Sequence, residues 1–278
     1  MDLSIVTPSY NMLGYLKRAC ASVRDQEGAS FEHIVVDAMS TDGTVDWLRT
    51  APAVTSIVEK DNGMYDAINK GLRRARGEIV SYLNCDEQYL PGSLQYVKEY
   101  FDTHPDVDGI CGDVLLIRPD GSLIAFIKSY PPIWPFILAN HLYVYPCSMF
   151  LRRRIIDHGD LFDATFKDIG DEEFVVRLLR KRYRLKNVRR YLSAFTMTQA
   201  NRSQQPFALQ EGLRMREYVP AWVDRYRRPL NIARLFLKLV SGAYFERPPL
   251  SYALYTTDPD RGRALFSARR LSPRFRLA

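Results

Sequence analysis

Two acidic residues follow a short apolar run near position 80, at the point where a buried strand would end. Residues 82–87 read Tyr-Leu-Asn-Cys-Asp-Glu, which places Asp86 and Glu87 at that end. Carboxylates suit a hard cation such as Mn²⁺ or Mg²⁺, which prefers oxygen ligands and bridges to substrate phosphates. Such a cation neutralises the charge that grows on a departing diphosphate. A solvated acidic turn is the alternative interpretation, and the cluster alone does not decide between the two.

Polar residues also end two earlier apolar runs. Residues 7–11 read Thr-Pro-Ser-Tyr-Asn, and the run at 33–36 leads into Asp37. Ligands of open α/β sheets bind at the carboxyl edge of the strands, where Asp37 can accept hydrogen bonds from a nucleobase or a ribose. Capping of the next helix by Ser9 or Asn11 is the simpler explanation of the first segment. We expect Asp42, in an Asp-Gly-Thr turn, to cap a helix.

These residues can meet only if the runs that precede them are neighbouring strands. Residues 3–7, 33–37, 55–58 and 78–84 are apolar and rich in β-branched side chains. Apolar residues at helical spacing occur at 13–23 and 64–75, between these runs. This alternation predicts right-handed βαβ units in a single Rossmann-like, mostly parallel mixed sheet flanked by helices.

Later segments extend this pattern. A turn signal at 119–121 predicts an antiparallel pair of strands at 109–117 and 122–127. We further expect a short strand at 148–152 and a helix at 171–181. Beyond residue 200 an apolar stripe runs from Ile232 to Ala243, and it predicts a basic, amphipathic helical extension at 201–278 after a catalytic domain at 1–200. We expect this stripe to pack on the core and its cationic face to meet solvent.

Charge is unevenly distributed along the 278 residues. Residues 1–150 hold 12 Lys and Arg against 19 Asp and Glu, whereas residues 151–278 hold 27 against 13. The basic half indicates an anionic partner, which charge alone leaves open between phosphate, acidic lipid and nucleic acid. The four cysteines form no CxxC pair, and residues 1–6 read as a strand without the features of a signal peptide. We therefore expect a cytoplasmic protein, with peripheral contact at an anionic inner membrane as an open alternative.

Four segments together resemble family 2 glycosyltransferases with the GT-A fold. They are Val-Thr-Pro-Ser-Tyr-Asn at 6–11, Val-Asp-x-x-Ser-Thr-Asp-Gly-Thr at 36–44, Asp-Asn-Gly-Met-Tyr-Asp-Ala-Ile-Asn-Lys-Gly at 61–71, and Leu-Asn-x-Asp at 83–86. The resemblance extends over residues 3 to about 190. It implies inverting transfer of a sugar from a UDP-, GDP- or dTDP-sugar to a saccharide or lipid-linked saccharide, in polysaccharide or glycoconjugate assembly.

The resemblance also implies residue roles. Asp86 stands at the family's metal-binding position, with Mn²⁺ or Mg²⁺ as the cofactor, and Glu87 is a weaker candidate because the family usually has Asp there. The residues that the resemblance places at the donor are Thr7, Pro8, Ser9, Tyr10, Asp37, Asp61, Asn62, Asn69, Lys70, Asn84, Cys85 and Asp86.

The catalytic base is expected in the acidic segment at 171–173. Inverting transfer needs a carboxylate that takes the proton of the acceptor hydroxyl, and the resemblance identifies Asp171 as that base. Glu172, Glu173 and Arg177 are secondary candidates. An acidic cluster favoured by the helix dipole is the competing explanation. We expect Asp37, Asp86 and Asp171 to converge on one cleft.

Two other functions fit parts of the sequence. A sugar-nucleotide nucleotidyltransferase has a similar sheet but should show a Gly-rich phosphate loop after the first strand, and the sequence has none there. A nucleic-acid-binding protein would use the basic half, but the first half is acidic and contains no recognised module. We therefore expect no nucleic-acid partner.

Overall fold

In the computed structural model, which describes residues 1–51, 53–198, 206–256 and 259–273, a nine-stranded mixed sheet forms the centre. Its strands run in the order β3-β2-β1-β4-β8-β6-β9-β5, and β7 pairs with β6. The pairs β3/β2, β2/β1, β1/β4 and β6/β9 are parallel, and the other pairs are antiparallel. The strands are β1 (Leu3–Ser9), β2 (Phe31–Asp37), β3 (Thr55–Val58), β4 (Ile79–Tyr82), β5 (Glu87–Tyr89), β6 (Gly109–Ile117), β7 (Leu123–Ile127), β8 (Met149–Arg152) and β9 (Leu185–Thr196).

Helices cover both faces of this sheet. The helices before residue 200 are α1 (Leu13–Arg24), α2 (Thr44–Leu48), α3 (Met64–Arg74), α4 (Ser93–Thr103), α5 (Trp134–Leu138), α6 (Arg154–Asp157) and α7 (Gly170–Arg180). Helix α3 lies so close to β1 that a Cβ on Gly71 would come within 2.3 Å of the Val6 Cγ1 atom. Glycine at this position therefore allows the close approach of helix and strand.

Strands β1 and β2 explain why the predicted site residues share an edge. Every residue of β1 is buried, as expected for a parallel strand covered on both faces. Ser9, the last residue of β1, pairs with Asp37, the last residue of β2. The two strands therefore end side by side, and the segments after them begin at one edge of the sheet.

The predicted strands and helices of the first 180 residues are confirmed in type and, to within a few residues, in position. Strand β4 is shorter than expected because the chain turns after Tyr82. Asp42 is confirmed as a cap, since its carboxylate accepts hydrogen bonds from the backbone N–H groups of Leu13 and Thr44. Capping of α1 by Ser9 or Asn11 is wrong because Asp42 occupies the Leu13 N–H and no side chain of the preceding residues does so.

The sequence did not predict α4, β5 or β9. Strand β9 has exposed charged positions, including Arg189 and Arg190, on a buried alternating pattern. The basic residues at 186–190 therefore lie on an interior strand of the main sheet, between β6 and β5.

The C-terminal segment is helical first and then forms strands. It contains α8 (Pro206–Glu217), α9 (Ala221–Arg225) and α10 (Arg227–Val240), as expected, followed by an antiparallel pair, β10 (Leu250–Leu254) and β11 (Ala264–Ala268), which the helical prediction missed. This pair is fixed to the main sheet, because Gln88 exchanges two hydrogen bonds with the backbone of Tyr255 and Arg263 forms a salt bridge with Asp25. The division at residue 200 stays a prediction.

The expected orientation of α10 is wrong. Its apolar stripe was expected to pack on the core, but Ile232, Phe236 and Val240 are exposed and Arg234 is buried instead. The helix is attached through polar contacts together with Leu230 and Leu237, which pack on the main core, and Ala243 beyond its end is buried there as well. Within the described residues, no helix combines the length and the apolar composition needed to cross a membrane.

Candidate active site

A cavity of about 620 Å³ opens at the carboxyl edge of β1 and β4. Most of its walls come from four parts of the chain, namely the end of β1, the segment at the start of α3, the turn between β4 and β5, and the start of α7, and residues such as Ala38, Pro146 and Phe195 complete the lining. Nine of the predicted residues line it: Pro8, Ser9, Tyr10, Asp61, Asn84, Cys85, Asp86, Glu87 and Asp171. The structure therefore brings the acidic turn and the proposed base to one cleft.

The turn between β4 and β5 presents oxygen atoms to the cavity. One Glu87 oxygen, Oε2, accepts a hydrogen bond of 2.7 Å from the Asn84 backbone N–H and so closes the turn. The other oxygen, Oε1, and the Asn84 side-chain oxygen are buried and find no hydrogen-bond partner among the described residues. Buried polar atoms without partners are uncommon in folded proteins and often mark a place where a ligand or an ion binds.

The electrostatics of this turn also favour a positive charge. Burial raises the pKa of the Asp86 carboxyl, although Arg18 and a hydrogen bond from Thr198 act in the opposite direction. Burial raises the pKa of the Glu87 carboxyl as well, and the neighbouring Asp86 charge raises it further. Two adjacent carboxylates without a matching cation repel each other, so a divalent ion would stabilise their ionised forms.

The oxygens of this turn indicate how a metal would be coordinated. Within the described part of the chain, no group of three or more His, Cys, Asp or Glu side chains is arranged to hold a metal ion. Asp86, with the Asn84 and Glu87 oxygens, fits the other arrangement, in which one or two carboxylates and the substrate phosphates share the coordination of Mg²⁺ or Mn²⁺.

Asp171 lies at the start of α7 and meets a tyrosine from α3. The Tyr65 hydroxyl donates to Asp171 Oδ1 at 3.3 Å and accepts from the Asp171 backbone N–H at 3.1 Å. The Glu172 N–H donates to the same oxygen at 2.9 Å. Burial raises the pKa of the Asp171 carboxyl to about 6, although these hydrogen bonds act to lower it. A carboxylate with such a pKa is ionised at neutral pH and is a better base than an exposed aspartate.

Thr7 and Asp37 lie beside the cavity but do not line it. The Thr7 hydroxyl is hydrogen-bonded to His33 Nε2 at 2.8 Å, inside the sheet. The Asp37 carboxylate is fully buried and accepts hydrogen bonds from the Ser40 N–H and hydroxyl, at 2.8 and 2.6 Å. Of the three carboxylates expected to converge, Asp86 and Asp171 therefore meet in the cavity, whereas Asp37 shapes the loop that follows β2.

Three further candidates for donor contacts also lie outside the cavity lining. Asn69 joins α3 to the backbone of Phe162 through two hydrogen bonds, at 2.8 and 2.9 Å. The Lys70 ammonium is 3.1 Å from a Glu59 carboxylate oxygen, and Asn62 is exposed next to the rim. The arrangement gives Asn69 and Lys70 structural contacts that hold α3 in place.

The secondary candidates in α7 have structural partners. Glu172 accepts a hydrogen bond from the Leu142 N–H at 3.1 Å. Glu173 forms an ion pair with Arg177 at 2.7 Å, and Arg177 also reaches Asp160 at 3.0 Å. These contacts fix α7 against its neighbours and leave Asp171 as the member of the group that lines the cavity.

Sequence reasoning missed several residues of the site, among them Tyr65, Asp168 and Glu211. Tyr65 and Asp168 line the cavity, and Glu211 on α8 supports its wall. The Glu211 carboxylate accepts hydrogen bonds from the backbone N–H groups of Lys167, Asp168 and Ile169, in the bend before α7. Tyr65 stands within a segment that the sequence had singled out, but nothing local to Asp168 or Glu211 distinguishes them from surface acids.

Comparison with known sequences gives a family match over most of the domain. Residues 4–164 match the model of the family described as "Glycosyl transferase family 2". The "Putative teichuronic acid biosynthesis glycosyltransferase TuaG" of Bacillus subtilis is 35% identical over 132 residues, 46% of this chain and 52% of that protein. A "PGL/p-HBAD biosynthesis glycosyltransferase" of Mycobacterium tuberculosis is 31% identical over 119 residues, 41% and 46% of the two chains. The chain thus spans about half the length of these curated relatives.

Comparison with solved structures supports the fold. Staphylococcus aureus TarS 1-349 in complex with UDP-GlcNAc aligns with a TM-score of 0.63 over 96% of this chain and 99% of that one, at 17% identity. The mannosyltransferase PcManGT from Pyrobaculum calidifontis, in complex with GDP-Man and Mn²⁺, aligns with a TM-score of 0.56 over 88% and 76%, at 17% identity. At such identities the likeness concerns the fold, and it confirms the mixed α/β sheet of the GT-A type.

Proposed function

The chain belongs to glycosyl transferase family 2, and from that membership we propose that it moves a sugar from a nucleoside-diphosphate sugar to an acceptor hydroxyl, with inversion at the anomeric carbon. The observation that carries this proposal is the meeting of the acidic turn at Asp86 with Asp171 in one cavity. A protein that only binds its ligand would not need a raised pKa at Asp171.

The donor is proposed to lie along the end of β1 and the segment before α3. A cavity of about 620 Å³ is within the range that holds a ligand of this size. Tyr10 is exposed at the rim and offers a ring to a nucleobase, and Asp61 offers carboxylate oxygen to hydroxyl groups. Neighbouring structures with UDP-GlcNAc, UDP and GDP-Man support a nucleotide sugar as the ligand class and leave UDP-, GDP- and dTDP-sugars as candidates.

A divalent cation, Mn²⁺ or Mg²⁺, is the proposed cofactor. Asp86 would hold it, and the buried Asn84 side-chain oxygen and Glu87 Oε1 of the same turn, which find no hydrogen-bond partner within the residues that the structure describes, are the further proposed ligands. When bound, such an ion supplies charge neutralisation to the diphosphate. The chain's own contribution is a turn closed by the Asn84–Glu87 hydrogen bond, which presets the oxygens before any ligand arrives.

Asp171 is proposed to be the catalytic base. Its ionised carboxylate accepts the proton of the acceptor hydroxyl as that oxygen forms a bond to the anomeric carbon. The bond from the anomeric carbon to the diphosphate oxygen breaks on the opposite face, and its electron pair leaves with the nucleoside diphosphate. Tyr65 and the Glu172 N–H hold the carboxylate oxygen in place during this step.

The acceptor is proposed to be a saccharide or a lipid-linked saccharide in polysaccharide or glycoconjugate assembly. Relatives named for teichuronic acid and PGL/p-HBAD biosynthesis support this class. We infer that residues 1–200 form the catalytic domain and that 201–278 extend it, and a cytoplasmic location stays a prediction. The rival functions, nucleotidyl transfer and nucleic-acid binding, have no support from the family match.

The donor site can be tested by thermal shift. UDP, GDP and dTDP are added with and without Mn²⁺ to the wild-type protein, to Asp86→Asn and to Asp106→Asn. The Asp106→Asn variant is the control, because it removes an exposed carboxylate that does not line the cavity. We expect one diphosphate to raise the Tm of the wild type and of the control in the presence of Mn²⁺, and the shift to shrink in Asp86→Asn. The proposal fails if no diphosphate stabilises the wild type in either condition.

A further inference from the structure

Helix α10 contacts the protein through Leu230 and Leu237, which pack on the main core, and through charged residues. Arg234 is buried, and its guanidinium donates to the Tyr130 hydroxyl at 3.0 Å and to the Asn231 side-chain oxygen at 2.9 and 3.2 Å. The Lys238 ammonium lies 4.7 Å from the centre of the Tyr244 ring, a cation–π distance. Arg234 and Lys238 therefore point inward, in reverse of the usual orientation of an amphipathic helix on a soluble core.

The apolar residues of α10 point outward as one stripe. Their spacing of three and four residues places them on one face of the helix, and Phe245 continues the exposed apolar surface beyond its end. The exposed fractions are 68% for Ile232, 42% for Leu235, 64% for Phe236, 49% for Leu239 and 62% for Val240. A contiguous apolar face of this kind on a folded domain marks a surface that contacts something else.

The surroundings of the stripe indicate what that partner is. Arg225 and Arg228 are exposed at its N-terminal end, and Arg228 stands one helical turn before Ile232 on the same face. Residues 225–240 contain no acidic side chain. Trp222 and Tyr226 are exposed beside these arginines, and such aromatic residues favour the boundary between lipid and water.

We propose that the outward face of α10, the stripe defined above, lies in the surface of an anionic membrane. Its apolar side chains would enter the boundary of the acyl chains while Arg225 and Arg228 meet acidic headgroups. A second copy of the chain could cover the apolar stripe, but within residues 222–240 it would offer a single exposed acid, Asp224, against the exposed Arg225, Arg227 and Arg228. The charge pattern therefore favours lipid over a dimer.

The same helix is connected to the acceptor side of the cavity. Arg227 Nε donates to the Ala139 carbonyl at 2.8 Å, so α10 packs on the segment that contains α5. Leu142, in the loop after α5, donates its N–H to Glu172, next to Asp171. A membrane bound at α10 would thus lie behind the wall that holds the base. Delivery of a lipid-linked acceptor by this surface rests on the proposed function, whereas the surface itself does not.

Vesicle flotation tests the surface in the absence of nucleotide. The full chain is mixed with vesicles of phosphatidylcholine alone or with an equal share of phosphatidylglycerol. We expect it to float with the anionic vesicles, and the floating fraction to fall at high salt and with neutral vesicles. Ile232→Ser/Phe236→Ser should weaken the partition at least about tenfold, because two large apolar side chains are lost from the contact.

Matched variants show whether the loss of binding is specific to the stripe or follows from removing any exposed leucine or arginine pair. Leu265→Ser removes an 87% exposed leucine of β11 and should float like the wild type. Arg225→Ala/Arg228→Ala should weaken anionic binding, whereas Arg73→Ala/Arg74→Ala, an exposed pair on α3, should not. Equal flotation of Ile232→Ser/Phe236→Ser and wild type, or equal binding to neutral and anionic vesicles, overturns the proposal.

Two further measurements distinguish the membrane proposal from dimer formation and from failure of the donor site. Gel filtration with light scattering would show a dimer that Ile232→Ser/Phe236→Ser dissolves if a second copy covers the stripe, and that result without flotation also overturns the membrane proposal. Thermal shift by diphosphate in vesicle-free buffer reports the donor site independently. If the wild type does not float but diphosphate still raises its Tm, the membrane surface alone is refuted. If the wild type floats but no diphosphate raises its Tm, only the proposed transfer function is refuted.

Discussion

Replacement of Tyr65 by phenylalanine tests whether Asp171 is the base, because it changes the pKa of that carboxyl without removing it. The wild-type carboxyl has a pKa of about 6, raised by burial and lowered by its hydrogen bonds. One of those bonds, 3.3 Å long, comes from the Tyr65 hydroxyl. Without it the ionised form loses a donor, so its pKa should rise further.

The size of the effect follows from the geometry. A hydrogen bond to a charged group contributes about 1.5–3 kcal/mol, and a bond of 3.3 Å lies below that range, at about 1 kcal/mol. At about 1.4 kcal/mol per pH unit this shifts the pKa by roughly 0.7, from about 6 to nearly 7. Since the base must be unprotonated, activity is present above the pKa and falls as the pH drops through it. At pH 5 the wild type should show about a tenth of its plateau activity and Tyr65→Phe about a fiftieth, so the variant retains roughly a fifth of the wild-type activity at that pH.

The assay is the dependence of kcat/KM on pH, measured at saturating metal so that the acidic turn stays ionised. Wild type and Tyr65→Phe should reach similar plateaus at high pH and differ in the midpoint of the acidic limb. Glu172→Gln is the matched control, because burial also raises the pKa of Glu172, to about 7, yet its side chain faces Leu142. The assignment of Asp171 as the base would be refuted if the acidic limb of the kcat/KM profile kept its midpoint in Tyr65→Phe. It would also be refuted if that limb disappeared in Glu172→Gln.

Three other outcomes follow from the structure. Asp171→Asn should abolish transfer and leave the Tm shift by diphosphate and Mn²⁺ nearly unchanged, and retained turnover would place the base elsewhere. Gly71→Ala should reduce the free energy of unfolding in urea by about 1–3 kcal/mol, because its Cβ would meet Val6 Cγ1 at 2.3 Å; Val6→Ala should recover part of this loss, and additive effects would contradict the clash. His33 is buried and its pKa is lowered from 6.5 to about 4, so the unfolded chain binds the proton first and stability should fall by roughly 3 kcal/mol as the pH drops from 6.5 to 4. An equally steep loss in His33→Gln would show that other groups cause it.

The elements that sequence predicted best are those with one dominant physical signal. Strand β1 is buried along its whole length, so its apolar run is unambiguous, and α3 shows a clear helical period. Strand β9 was missed because its exposed positions are basic, which resembles a solvated surface segment. The outward face of α10 was missed because periodicity gives the angular position of a stripe but not the side that faces the protein.

The candidate site was predictable where one segment supplies both position and chemistry. The turn at 84–87 contains its own oxygens and its own closing hydrogen bond, so its sequence is informative. The contact between Tyr65 and Asp171 joins residues 106 apart, and the contact between Glu211 and Asp168 joins residues 43 apart. Such pairings depend on how α3, α7 and α8 pack, which no local pattern determines.

The proposed catalytic and metal-binding residues lie in two different parts of the chain. Residues 4–164 match the family and include the acidic turn, whereas Asp171 lies beyond them. The base is nevertheless fixed from both sides, by Tyr65 within the matched part and by Glu211, which holds the bend before α7 from the C-terminal segment. Because Glu211 and α10 belong to the same C-terminal segment, changes there can alter how an acceptor arrives while the oxygens that face the donor stay in place.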